Sequence, residues 1–430
     1  MPSARRTLAV SLCATMFSIA SQRATAQSDS TWREHERALQ VARKADDTVA
    51  YRAQLDAIHR EIGATPRIVT RLATLALQAN DSAGARRWMG AIAAMGAELD
   101  TGLLARYRTL VGPRALDSLR ALSALATRDA GSPQLSFRLP DVDMISEDIA
   151  YDAGSARFLV SSVRHGGIYA ASAIIRAAPI VRPGADTSWG MFAVGIAKDA
   201  FWTTTAALSM AARYTPADSG KSALLKYDLR SGKLRGRYVA PDTGAHALGD
   251  LVVGANGVVY VSDGIGGGVY VLAPGHDSLR VLVPPGVLVS PQTPALSSDG
   301  STLFVPDYAI GIAAVSVATG KITWLTHSDS LALTGIDGLY RVGSDLVVVQ
   351  NGLEPNRIMR LTLDAQMLRV VRATALARGP LARSLTHATV AGGWLYFITK
   401  SGWERVADDG TMTAGKPADA PTVMRVRIAP

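Results

Sequence analysis

The sequence has almost no cysteine, few aromatic residues and no long apolar run. Its 430 residues include one cysteine, Cys13, and 6% aromatic residues. This excludes a disulfide scaffold, and if Cys13 leaves with an N-terminal leader, cysteine catalysis and cysteine-ligated zinc are excluded as well. No segment offers the ~20 apolar residues that a membrane-spanning helix needs. We therefore expect no membrane span.

A block of basic residues is also lacking, although basic residues outnumber acidic ones. The chain has 45 Lys and Arg against 36 Asp and Glu, for a formal net charge of +9. These basic residues are mostly Arg and are scattered, unlike the stripes that bind phosphate backbones. We expect no nucleic-acid partner. With 48% hydrophobic residues, the chain has enough apolar material for a sizeable core.

Residues 1–26 have the pattern of a secretory signal peptide. Arg5 and Arg6 form a positive region, residues 7–20 are apolar, and Ala24-Thr25-Ala26 is a small-x-small cleavage site. The apolar stretch is shorter than the ~20 residues of a spanning helix. The pattern predicts an exported protein, periplasmic or extracellular.

Residues 27–130 have the spacing of an α-helical domain. Apolar residues recur at three- and four-residue intervals, as in Leu55, Ile58 and Ile62, and short breaks separate them, which predicts five or six helices. Residues 72–85 place small side chains where paired helices approach closely and resemble a tetratricopeptide repeat. Two interpretations stay open: a small helical cap, and a solenoid that binds a protein partner.

Residues 133–430 consist of short β-branched and aromatic runs separated by Gly, Asp and Pro. Six segments repeat the order of strand, turn and strand, and their starts are roughly 50 residues apart. Four strands of ~5 to 6 residues with their turns use about that much chain. We predict a mostly β protein, a six-bladed β-propeller preceded by a small all-α domain of helical hairpins.

The last predicted blade begins near Ser384 and runs out of sequence after its third strand, at residues 423–428. Residues 134–139 can supply the missing fourth strand. The two ends of the propeller domain would then share one blade and close the ring.

The sequence pattern of the predicted blades resembles that of the regucalcin and gluconolactonase (senescence-marker-protein) family of six-bladed propellers. The segments that carry the resemblance are residues 147–152, 249–253, 295–308 and 336–339. The resemblance implies lactone hydrolysis with one divalent cation, usually calcium, at the mouth of the channel. Carried over by position, the ligands are Glu147, Gln292 and Asp337. At Gln292 and Gly249 this sequence departs from the family, which has Asn at both positions.

The residues that begin the inner strands indicate the same site at the mouth of the channel, independently of the family resemblance. Their leading residues should form one ring around the channel; these are Glu147, Gly195, Asp250, Gln292, Asp337 and His387, with His246 just upstream of its strand. Like charges at close range raise one another's pKa, so such a ring favours a cation or a proton at its centre. The alternative is a polar lining of a water-filled channel. For general-base chemistry the candidates are His387, His246 and Asp250.

Three further residues are candidates for binding a small-molecule substrate at the channel. Arg164 and His165 can bind an anionic group, and Trp403 follows a Ser-Gly pair on a predicted loop near the channel. Two functions therefore remain. One is an exported, divalent-metal-dependent hydrolase of a lactone or ester. The other is a non-catalytic propeller that binds a ligand or a protein, with the helical domain as an interaction module.

Overall fold

The computed structural model describes residues 31–407, 409–413, 415 and 419–428. The predicted signal peptide, residues 1–26, lies outside the described residues. Within them, no helix is both long and apolar enough to cross a membrane.

The described chain begins with a helical region. Its helices are α1 (Thr31–Lys44), α2 (Thr48–Ile62), α3 (Pro66–Gln78), α4 (Ser82–Met95), α5 (Thr101–Val111) and α6 (Pro113–Thr127). Side-chain caps set several of the starts: Thr65 accepts a hydrogen bond from the Ile68 amide ahead of α3, and Asp81 accepts one from Gly84 ahead of α4. Helix α1 packs on α2, and α3 packs on α4. The prediction of five or six helices is confirmed.

The rest of the described chain forms six four-stranded antiparallel sheets, the blades of a propeller. Blade one contains β2 (Ser146–Asp152), β3 (Arg157–Ser162), β4 (Gly167–Ala171) and β5 (Ala178–Val181). Blade two contains β6 (Gly190–Ala197), β7 (Ala200–Ala206), β8 (Ser222–Asp228) and β9 (Leu234–Tyr238). Blade three contains β10 (Leu248–Val253), β11 (Val259–Asp263), β12 (Gly268–Leu272) and β13 (Arg280–Val283).

Blade four contains β14 (Ala295–Leu296), β15 (Thr302–Asp307), β16 (Gly311–Ser316) and β17 (Ile322–Trp324). Blade five contains β18 (Ile336–Val342), β19 (Asp345–Gln350), β20 (Arg357–Leu363) and β21 (Val370–Arg378). Blade six contains β22 (Ala388–Ala391), β23 (Trp394–Thr399), β24 (Thr422–Arg427) and the first strand of the chain, β1 (Gln134–Arg138). The predicted six-bladed propeller is confirmed.

The ring closes through the pairing of β1 with β24. The two strands are antiparallel, with Leu135 opposite Met424 and Phe137 opposite Val423. The predicted sharing of one blade between the two ends of the domain is therefore confirmed. The closure leaves blade six without an unpaired β24 edge, which would otherwise be open to other chains.

The blades pack face to face through strands that are buried on both sides. Strand β11, with Val259, Tyr260 and Val261, and the strand β19 are buried along their whole length. Alternate side chains of such a strand enter the cores on either side of its sheet. This explains the near-continuous apolar runs in the sequence.

The helical region rests on loops that lead into the inner strands of blades four and five. Arg33 donates to the carbonyls of Val287 and Leu288, ahead of β14. Arg87 donates to Asp329, ahead of β18. The apolar core of the helices also includes Ile310 of the propeller. These contacts place the helices at the edge of the propeller where the inner strands begin.

Candidate metal centre

Five ionisable side chains meet where the inner strands enter the channel. Glu147 and Asp148 belong to β2, Asp250 to β10 and Asp337 to β18, and His387 immediately precedes β22. Each is less than one-tenth exposed. Because the inner strands all begin at the same edge, residues distant in sequence come together there.

Irregularities of the sheets occur at the acidic residues. The β2–β3 register shifts between Ser146 and Ile149, which spans Glu147 and Asp148. The β18–β19 register shifts in the same way at Asp337, and the β10–β11 register shifts just before Asp250. A β-bulge re-aims side chains and terminates regular pairing, and bulges are common next to functional sites. The two-residue alternation of a regular strand does not apply at these positions.

Three of these residues form a compact group of possible metal ligands. One oxygen each of Glu147 and Asp337 and one nitrogen of His387 all lie within 4.8 Å of one another. His387 Nε2 is 3.6 Å from Asp337 Oδ1 and 3.2 Å from Asp250 Oδ1. This group can hold a metal ion.

The imidazole of His387 is oriented for ligation. Its Nδ1 lies 3.1 Å from the backbone carbonyl oxygen of Glu147, which can only accept, so Nδ1 donates. In the neutral ring Nε2 then carries the free lone pair. Nε2 is buried and makes no hydrogen bond with the described residues, although it lies at ion-pair distance from Asp250 and Asp337. A buried polar atom left in this state fits a site that is completed by a cation.

The cluster is electrostatically costly without a cation. Burial raises the pKa of Glu147 to about 8, that of Asp250 to about 7 and that of Asp148 to about 6. Burial alone would lower the pKa of His387, but the surrounding carboxylates, led by Asp250, raise it to about 10. With all four carboxylates ionised, the group is negative even when His387 is protonated. A bound divalent cation would offset that charge.

Neighbouring donors fix the two carboxylates of the metal-ligand group. Trp403 Nε1 donates to Glu147 Oε2, which brings the predicted substrate-binding Trp403 to the site. Asn351 Nδ2 donates to Asp337 Oδ2 at 2.6 Å, and the Tyr308 hydroxyl donates to Asn351 Oδ1 at 3.0 Å. Asn351 and Tyr308 were not predicted from the sequence. Both directly follow the second strand of a blade. The spacing of residues in the sequence does not predict that this position contacts the channel.

The other two carboxylates connect blades. Asp148 accepts hydrogen bonds from the amides of Ile149 and Val194, each at 2.7 Å, and so joins β2 to β6. Asp250 Oδ1 accepts from Thr293 Oγ1 at 2.8 Å and joins β10 to the loop before β14. Asp148 lies in a segment that carries the family resemblance, and Thr293 follows the predicted ligand Gln292, but neither was predicted as a site residue.

The predicted residues His246 and Gln292 have partners of other kinds. His246 lies between Asp263, at 2.6 Å from Nδ1, and Asp242, at 3.0 Å from Nε2. The side-chain nitrogen of Gln292 donates to the carbonyl and hydroxyl oxygens of Ser290. No hydrogen bond between described residues joins either side chain to Glu147, Asp337 or His387. Their assigned roles stay predictions.

The predicted anion-binding pair, Arg164 and His165, contacts the loop before β2. Arg164 Nε is 3.7 Å from Asp143, and its Nη1 donates to the Met210 carbonyl. His165 Nε2 is 3.0 Å from Asp141. Both side chains therefore face carboxylates of the protein itself. Their role in binding a substrate stays a prediction.

A cavity of 650 Å³ runs along the inner strands. Its lining includes Asp148 and Thr293 near the strand starts, and Asn256 and Asp299 in the hairpin turns that follow the inner strands. It therefore extends from the carboxylate cluster to the opposite edge of the propeller. Its volume is within the ~300 to 1,000 Å³ typical of small-molecule sites.

Tyr340 of β18 also lines this cavity. Its hydroxyl oxygen accepts a hydrogen bond from the Ala388 amide at 2.6 Å. Burial, followed by the nearby Asp148, raises the pKa of Tyr340. The hydroxyl therefore keeps its proton at neutral pH and can donate it in a hydrogen bond to a ligand.

Comparison with known proteins identifies no family for this chain. No family model matches it, and no curated protein matches it significantly. Among solved structures, the PQQ-bound aldose sugar dehydrogenase of Streptomyces coelicolor is 14% identical with a TM-score of 0.48, over 70% of this chain and 98% of the other. The virginiamycin B lyase of Staphylococcus aureus is 15% identical with a TM-score of 0.45, over 61% and 80%. A glucose dehydrogenase of Thermus thermophilus is 16% identical with a TM-score of 0.44, over 70% and 99%.

These likenesses are too distant to say anything about chemistry. The resemblance to the regucalcin and gluconolactonase family and the tetratricopeptide-like character of the helices both stay predictions.

Proposed function

We propose that this protein is a divalent-metal-dependent hydrolase that acts on a lactone or a related ester in the propeller channel. The observation that carries the proposal is the buried group of Glu147, Asp337 and His387, whose possible ligand atoms lie within 4.8 Å of one another. Asp148 and Ala388, the chain neighbours of Glu147 and His387, line the channel cavity. The signal-peptide pattern of residues 1–26 supports action outside the cytoplasm.

Glu147, Asp337 and His387 would hold the cation, with Asp250 beside them. Calcium takes oxygen ligands, whereas an imidazole nitrogen together with carboxylates suits zinc, iron or manganese. The presence of His387 in the ligand group therefore favours a transition-metal ion over the calcium that the family resemblance implies. His387, predicted as a general base, becomes a ligand in this proposal.

When bound, such a cation polarises a carbonyl group and lowers the pKa of a water molecule. Asp148 lines the channel and, with a pKa of about 6, is mostly ionised at neutral pH, so it can accept a proton from the attacking water. Two backbone amides hold its carboxylate in position. Tyr340 keeps its proton and can donate a hydrogen bond to the substrate carbonyl oxygen.

The first prediction concerns the cation itself. After chelation, titration of the full chain with zinc, manganese or calcium should raise the thermal midpoint in a saturable way. A ligand at 100 times its dissociation constant adds roughly 2.7 kcal/mol, which for a chain of 430 residues is about 3 °C. Asp337→Asn and His387→Asn should abolish the rise.

Asp299→Asn is the matched control, because it also converts a channel carboxylate to an amide, at the opposite end of the cavity. This variant should keep the full response to the cation. Failure of every divalent ion to move the wild-type midpoint would overturn the proposal.

The second prediction concerns hydrolysis. With the cation that the titration selects, a panel of lactones and esters should contain at least one substrate. Asp148→Asn should keep the cation response and lower kcat by about 10²- to 10⁴-fold, the usual contribution of a general base. Cation binding without turnover on any substrate would instead favour the non-catalytic, ligand-binding propeller.

A further inference from the structure

A second cavity, of 690 Å³, lies between the helical region and blade five. Ala94 and Met95 of α4 and Ala126 of α6 line one side. Residues of β20 and β21 line the other. It is separate from the channel, with which it shares no lining residue.

Arginine is the charged residue type that lines this cavity. Four arginines do so: Arg357, Arg369, Arg372 and Arg378. Among the described residues, no Asp or Glu lines this cavity. In the part of the chain that the structure describes, none of the four has a carboxylate oxygen within 4.0 Å. The cavity therefore carries a concentrated positive charge without a counter-charge in contact.

Arg357 is the buried member of the group, with 4% of its surface exposed. Its Nε donates to Gln350 Oε1 at 2.6 Å, and its Nη1 donates to the Met95 carbonyl at 2.8 Å. A guanidinium held by neutral acceptors alone is costly to bury. Burial, followed by the charge of Arg378, lowers the pKa of Arg357 to about 10.

The other three arginines supply more accessible cations. Arg369 and Arg372 are exposed, and Arg378 is half-buried with its Nε donating to the Arg128 carbonyl. The charge of Asp129 offsets part of the charge of Arg378. Planar guanidinium groups bind carboxylate and phosphate oxygens through paired N–H donors. Several of them around one cavity provide the donors that a multiply charged oxyanion requires.

We propose that this cavity is a binding site for a small polyanion, a molecule that carries phosphate or several carboxylate groups. Its volume is in the range of small-molecule sites. A bound oxyanion would contact Arg357 at the junction of α4 and β20 and would neutralise the charge between the helical region and the propeller.

The test is isothermal titration calorimetry of the full chain with inorganic phosphate and with citrate, at constant ionic strength. At least one should bind saturably. The Arg369→Gln/Arg372→Gln variant should bind at least tenfold more weakly, since a hydrogen bond to a charged group contributes about 1.5 kcal/mol or more. Both side chains are exposed, so this variant should fold. Tighter binding of phosphate would assign phosphate esters, and tighter binding of citrate would assign polycarboxylates.

Two control variants distinguish binding in this cavity from a general effect of charge and from binding in the channel. Arg230→Gln/Arg280→Gln removes the same charge from exposed positions outside the cavity and should leave the affinity unchanged. Glu147→Gln, in the channel, should also leave it unchanged. Absence of saturable binding at millimolar concentrations, or an equal loss of affinity in both double variants, would overturn the proposal.

Discussion

The strand that closes the ring, β1, provides a test of the fold with a control on the same strand. Phe137 is 7% exposed, and its ring centroid lies 5.3 Å from that of Phe158. Leu135 is 46% exposed. Residues two apart on a regular strand share a face, but a register shift between Leu135 and Phe137 separates their environments. One strand thus carries an anchoring side chain and an exposed one.

The two residues should respond very differently to truncation. Phe137→Ala removes a buried aromatic ring, which costs about 3 to 5 kcal/mol. Leu135→Ala changes an exposed position and should stay within about 0.5 kcal/mol. Since a chain of 430 residues has an unfolding entropy of roughly 0.9 kcal/mol per K, Phe137→Ala should lower the melting midpoint by about 3 to 6 °C.

Differential scanning calorimetry of both variants gives the answer, with size-exclusion chromatography to follow association. A chain that lacks residues 133–140 should have a still lower melting midpoint, because all contacts of β1 are lost. It should also associate, because the unpaired edge of β24 becomes open to other chains. Equal midpoints for Phe137→Ala and Leu135→Ala, or a truncated chain that stays monomeric with an unchanged midpoint, would refute the closure.

Two further predictions concern contacts outside the channel. The hydrogen bond to Asp263, together with the charge of Asp242, raises the pKa of His246. The contribution of the protonated His246 to the free energy of unfolding is therefore complete below about pH 6.5, and it is lost as the pH rises through the raised pKa of the folded state. Denaturant titrations should show a smaller stability loss between pH 6 and pH 9 for His246→Gln than for the wild type, and an unchanged pH dependence would contradict this. Arg33→Ala removes two hydrogen bonds from α1 to the propeller and should speed limited proteolysis of the helical region. Arg37→Ala, on the exposed side of α1, should leave the rate of proteolysis unchanged. Equal rates of proteolysis for the two variants would contradict the docking of the helical region on the propeller through Arg33.

The fold was largely predictable because its signals are local. Each blade repeats short apolar strands and polar turns, and this repetition is visible without knowledge of tertiary contacts. The starts of the helices at Pro66 and Ser82 depend on local signals as well, since the capping side chains of Thr65 and Asp81 act within three residues of their own positions. Closure followed from counting strands: a last blade with three strands needs a fourth, and residues 134–139 were the available segment.

The candidate site was predictable in part. Topology brings the first residues of the inner strands together, so the approach of Glu147, Asp337 and His387 could be predicted from the blade repeat. The bulges could not, because they depend on how neighbouring blades pack. A regular strand would point Glu147 and Asp148 to opposite faces, yet both belong to the buried cluster. Thr293, beside the predicted ligand Gln292, is the residue that donates a hydrogen bond to Asp250.

Blade five connects the two proposed sites through one row of cross-strand neighbours. Gln350 of β19 pairs with Ile336 on one side and with Arg357 on the other. Its side chain accepts from Arg357 Nε and donates to the carbonyls of Ala332 and Thr334, in the loop that leads to Asp337. All of these bonds are buried. The buried amide of Gln350 therefore contacts both Arg357 of the helix–propeller cavity and the loop that leads to Asp337 of the channel. The helical region contacts the same row, because Arg357 also donates to the Met95 carbonyl of α4.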